Sequence, residues 1–162
     1  MRKQIYSKIK HRILSIQNSE NKTLFKHFGL WNQQTENSES SEQETLFQTP
    51  AVFLEFAPMK WQARGNGVQE TDLTIRLHIV TEYANEQTPE LFDIVDCVTA
   101  VMHNSSSLGN GKWLRSQSIS DHKHNYYVDN IEEYVCSLQE IPVSPGMLSV
   151  TPEPIVKNKT SV

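Results

Sequence analysis

His78, His122 and His124 are the side chains of this 162-residue chain best suited to holding a metal. His122 and His124 flank Lys123 and follow Asp121 on a short polar stretch. A zinc site needs three or four converging ligands. No second cluster accompanies this one, so a solvated turn is expected and no metal is assigned. Gly109-Asn110-Gly111-Lys112 has the look of a phosphate loop. In the pattern G-x-x-x-x-G-K-[ST], however, Ser106 replaces the first glycine. Trp113 stands where a hydroxyl should hold magnesium. A glycine turn before a strand accounts for the segment. Arg64-Gly65-Asn66-Gly67 precedes no helix and is expected to be a hairpin turn.

Nucleophiles fare no better. Cys97 and Cys136 lie far apart without a C-x-x-C, as expected of free thiols in a reducing cytosol. Serines are frequent but no G-x-S-x-G occurs. Glu132 and Glu133 are neighbours on an expected strand, so they point to opposite faces and cannot act on one substrate. No enzyme activity, catalytic residue or cofactor is expected.

Charge is segregated along the chain. The net charge is -4, which does not favour nucleic acid. Yet Arg2, Lys3, Lys8, Lys10, Arg12, Lys22 and Lys26 precede Gly29 against a single acid, Glu20. Then come Glu36, Glu39, Glu42 and Glu44, with no base until Lys60. Lys8, Lys10 and Arg12, the four glutamates, and Arg76 and His78 are therefore the candidate residues for an oligomer or partner interface. The basic N-terminus never develops a run of 7–15 apolar residues, so it is not a secretory signal. Nothing approaches the roughly 20 apolar residues of a membrane span. A soluble cytoplasmic protein is expected.

The elements that must position these residues follow from hydrophobic spacing. One domain is expected over residues 1–140, with an acidic flexible loop at 34–48 and a proline-containing tail at 141–162. Ile5, Ile9, Ile13 and Ile16 predict a helix over 3–17 with one apolar face. Residues 23–33 are aromatic-rich and predict a first strand with a bulge at Gly29. Residues 51–61 predict a second strand, with Val52, Leu54 and Phe56 on one face and Pro58 marking an edge or bulge. Residues 62–70 are expected to turn. Residues 71–83 alternate most clearly: Leu73, Ile75, Leu77 and Ile79 inward, Asp72, Thr74, Arg76 and His78 outward. That pattern predicts an antiparallel sheet covered on one side.

Thr88 and Pro89 suit the start of a helix running to His103. Its arc of Leu91, Ile94, Val95, Val98, Val101 and Met102 is expected to cover the sheet. Residues 112–120 and 126–138 predict a closing hairpin, with a bulge or edge near Asp129–Glu133. The fold class is α+β, a mostly antiparallel sheet of about four to five strands packed by an N-terminal and a central helix.

This order resembles the tail terminator family of long-tailed phages, and the local text resembles its Mu-like prophage members. The residues that carry the resemblance are Leu30-Trp31-Asn32-Gln33, Pro50-Ala51-Val52-Phe53-Leu54-Glu55-Phe56, Gly65-Asn66-Gly67-Val68-Gln69 and Leu73 through Tyr83. The resemblance spans roughly residues 24–140. It implies a structural minor tail protein that caps the tail tube as a ring, typically six-fold, and prepares it to join the head. It implies self-association, contact with tail-tube and head–tail connector proteins, and a place in the bacterial cytoplasm during assembly and then in the virion. A neck or connector subunit is the nearest alternative. A nucleic-acid-binding or regulatory module using the basic helix is another. The charge pattern offers a physical route to a ring, the basic helix of one subunit meeting the acidic loop of the next.

Overall fold

A computed structural model of the chain describes residues 1–33, 47–82, 88–107, 111–121 and 127–141. The chain is α+β: helix α1 (Arg2–Leu14), strands β1 (His27–Leu30), β2 (Ala51–Phe56), β3 (Gln62–Gly65) and β4 (Val68–Glu82), helix α2 (Thr88–Met102), and strands β5 (Leu114–Asp121) and β6 (Tyr127–Glu140). The strands form one six-stranded mixed sheet in the order β1-β2-β4-β6-β5, with β3 pairing β4 off that path. Only β1 and β2 run parallel; the other pairs are antiparallel.

Both helices lie on one face. Ile5, Ile9 and Ile13 recur every fourth residue and are buried from α1, while Val95, Val98 and Met102 are buried from α2. They pack on Leu73, Ile75, Leu77 and Ile79 of β4, each 0% exposed, with Val52 and Leu54 beside them. Alternation sends these odd-numbered β4 side chains to one side. Burying each stabilises the fold by about 1.5–3 kcal/mol. Helix α1 packs over β1 and α2 over β5, so the helices serve opposite ends of the sheet.

Several expectations are corrected. Helix α1 stops at Leu14 rather than residue 17: the Ile16 amide donates to the Ile13 carbonyl, and the chain tightens out of the α-helix. The first strand is only four residues and shows no bulge at Gly29. Its register with β2 is regular, and a Cβ at Gly29 would lie 3.0 Å from His27 Nε2 and 3.3 Å from Phe53 Cδ1. Gly29 is there to admit a ring.

The second strand ends at Phe56, and residues 62–70 are not merely a turn. They are β3, a two-residue turn and the start of β4, with Asn66 at φ 51° and Gly67 at φ 75° as a type I′ hairpin turn requires. Strand β6 is neither an edge nor bulged over 127–140; it lies between β4 and β5, and the irregularity falls in β5 between Arg115 and Gln117. Its alternation slips because buried Asp129, Asn130 and Glu132 occupy interior positions with cross-strand partners.

The sheet is also not covered on one side alone. Phe47, Ala51, Phe53, Val80 and Tyr127 form a second buried cluster on the opposite face, with Trp31 against it. Phe47, placed in the expected flexible loop, is 8% exposed and meets Phe53 edge-on at 4.9 Å. Glu36, Glu39, Glu42 and Glu44, the His122–His124 stretch and the tail from 142 lie outside the described residues.

Candidate functional site

The densest polar chemistry lies on the face turned away from the helices. Alternation sends Arg76 and His78 there from β4. Glu55 of β2 and Glu133 of β6 sit opposite Arg76, and Asp129 of β6 lies diagonal to His78. Arg76 Nε donates to Glu133 Oε2 at 3.0 Å and its Nη1 to Glu55 Oε2 at 3.4 Å. His78 Nδ1 lies 2.8 Å from Asp129 Oδ2, and its Nε2 lies 3.3 Å from Glu55 Oε2. The result is an unbroken relay, Glu133–Arg76–Glu55–His78–Asp129, crossing three strands. The hydrogen bond that Arg76 donates to Glu133 holds its guanidinium above its ordinary pKa.

One end of this relay is dry and the other is open. Trp31 stacks flat on His78, ring centroids 3.8 Å apart at 6°, and its backbone amide donates to the Leu54 carbonyl. His78 and Asp129 are 4% and 3% exposed. Asp129 Oδ1 is buried and has no hydrogen-bond partner among the described residues. The Arg76 side chain, in contrast, keeps 40% of its surface in solvent. Both nitrogens of His78 are thus engaged in holding strands together, and Arg76 is the part of the relay presented outward.

The other candidates separate. Lys8 Nζ donates to the Ser107 carbonyl at 3.4 Å, and Arg12 donates to Ser105 Oγ at 2.7 Å and the Ser106 carbonyl at 3.2 Å. Burial lowers the pKa of Arg12. These two cations clasp the stretch that follows α2, where positive charge also suits the helix C-terminus. Lys10 is exposed. The structure therefore places Arg76 and His78 in one relay and gives Lys8 and Arg12 hydrogen bonds within the subunit.

Of the glycine-rich segment, residues 108–110 lie outside the described residues, and Gly111 has a structural reason. A Cβ on Gly111 would sit 2.5 Å from both Cys136 Sγ and the Ser137 carbonyl. Gly111 accepts from the Ser107 amide at 2.8 Å, and the Trp113 amide donates to Ser105 at 2.9 Å. Gly111 lies close against β6, and Trp113 is buried. Burial raises the pKa of the Cys136 thiol, which makes it a poor nucleophile. Cys97 and Cys136 are both free.

Glu132 and Glu133 do face opposite ways. Glu132 accepts from Ser118 at 2.8 Å and from Arg115 at 3.5 Å, while Glu133 serves Arg76 and Ser116. No group of three or more metal-ligating side chains occurs among the described residues. No described helix is long and apolar enough to cross a membrane.

Spacing put Glu55 on this face without marking it as a candidate, and missed Trp31 and Asp129. The available signal was a charged residue in each of three adjacent apolar strands. No family model matches the chain, and no curated protein matches it.

Proposed function

We propose that this chain is a non-enzymatic virion structural protein of the tail terminator kind. It assembles as a ring on the end of a tail tube and prepares that end for the head. The reading rests on the residues that resemble the family, and the element order fits it: a helix, a short strand, paired strands, a second helix and a closing hairpin.

The observation that carries the reading is that, among the described residues, no further strand pairs beyond β1 or β5. Strand β5 terminates one end over eight residues, with Leu114 52% and Ile119 41% exposed. Strand β1 terminates the other. An edge of that length invites pairing or cover by another chain. Two unlike edges on one subunit suit a head-to-tail contact, which closes as a ring when the rotation between subunits permits. The relay of the far face fits the same role, since it fixes a surface without offering a reactive group. Tail-tube and connector proteins are the implied partners.

Electron microscopy of the purified protein mixed with tail tubes tests this. The tubes would be assembled from a purified tail-tube protein of a Mu-like prophage. Rings seated at one end of each tube are expected. Tube ends that stay bare at saturating protein would overturn the reading. Tight duplex DNA binding that falls steeply with salt would turn it toward a nucleic-acid role.

A further inference from the structure

The two flanks of the molecule carry an exposed aromatic side chain and an apolar hollow. Phe92 stands on α2 with 55% of its surface exposed. Asp93 follows it and Asp96 lies one helical turn on, both exposed. Residues four apart on a helix share a side, so Phe92 and Asp96 present together.

The opposite flank holds an apolar hollow of about 340 Å³ lined by Arg2, Lys3, Tyr6, Leu30 and Phe56. A cavity of about 150 Å³ already admits a benzene ring. Leu30 is 56% exposed at its wall. The Arg2 guanidinium lies 5.8 Å from the centre of the Phe56 ring, so a cation stands at the rim.

We propose that Phe92 of one copy seats in the Tyr6–Leu30–Phe56 hollow of the next, with Asp93 and Asp96 against Arg2 and Lys3. This rests on the ring reading and gives that ring a specific contact. Charge complementarity selects the occupant: the knob is flanked by acids and the hollow by bases. The placement suits a chain of copies, because α1 packs over β1 and α2 over β5, at the two ends of the sheet. Knob and hollow are different surfaces, so the contact is heterologous and leaves one of each free until the ring closes. A buried aromatic anchor with a charged rim is a common source of interface energy and of orientation.

The test uses two variants of the full chain, Phe92→Asp and Leu30→Asp. Both positions are more than half exposed, so circular dichroism melts should match the wild type. Light scattering should show the wild type assembling and each variant alone weakened at least about tenfold. Mixed together, the variants should stop at a one-to-one dimer, since one keeps its hollow and the other its knob. A charge swap sharpens this. Arg2→Glu with Lys3→Glu should weaken assembly, and adding Asp93→Lys with Asp96→Lys should restore it.

Wild-type assembly matched by both variants would overturn the contact and leave the ring reading standing. A wild type that stays monomeric on its own and bare on tail tubes would overturn both.

Discussion

The two faces of the central sheet are built from the same alternation and solve different problems. The helix-covered face stacks Leu73, Ile75, Leu77 and Ile79 under isoleucines of α1 and valines of α2, and its core is sealed. The far face sets Arg76 and His78, two residues apart on the same strand, into a charge relay with Glu55, Asp129 and Glu133. The first face supplies non-directional burial. The second supplies directional pairing that fixes register across β2, β4 and β6. A strand's period states which residues share a face; what covers that face is decided elsewhere in the chain.

The largest expected effect lies on the covered face. Leu77→Ala should cost about 2–5 kcal/mol in urea unfolding, because the cavity cannot refill. A loss comparable to a surface substitution would break the contrast between the faces.

Next comes the alkaline limb. Burial pushes the Tyr134 hydroxyl up to about 12, with Glu132 nearby adding to the shift. The unfolded chain ionises this group near pH 10. The stability it contributes is therefore complete below about pH 10 and is lost as pH rises through about 12, amounting to about 2–3 kcal/mol. Tyr134→Phe should flatten that limb and change little at neutral pH. Identical alkaline unfolding of the two proteins would contradict the burial argument.

On the far face, Asp129→Ala should cost about 2 kcal/mol by leaving His78 buried without its closest partner. Replacing both, His78→Leu with Asp129→Leu, should recover most of that loss, since apolar pairs substitute well for buried polar ones. A double variant as weak as the sum of the singles would show that this pair behaves like the covered core. The smallest effect belongs to the open end of the relay. Arg76→Met should change stability by under about 1 kcal/mol, and less still at high salt.

Much of the covered face was legible. The isoleucine spacing of α1, the inward set of β4 and the arc of α2 all follow from periodicity, because burial on one side leaves that mark. The far face was not. Its cover comes from Trp31 and Phe47, whose positions depend on the non-local parallel pairing of β1 with β2. Nothing local to Trp31 announces that it will lie flat on His78. The polar residues of β6 looked like a strand edge, because a buried aspartate or glutamate makes sense only once its partner on another strand is known. Among the candidate interface residues, Lys8 and Arg12 also make hydrogen bonds inside the subunit. Their partners sit some ninety residues on, at Ser105 through Ser107. Sequence order does not reveal such a contact.

The most direct test of the central claim, that this protein works by closing on copies of itself, is its solution mass by light scattering across concentration and salt. The account predicts reversible growth from 18.6 kDa to one fixed whole-number multiple, with no larger species beyond it. A mass of 18.6 kDa at every concentration and salt, with tail-tube ends also left bare, would contradict it.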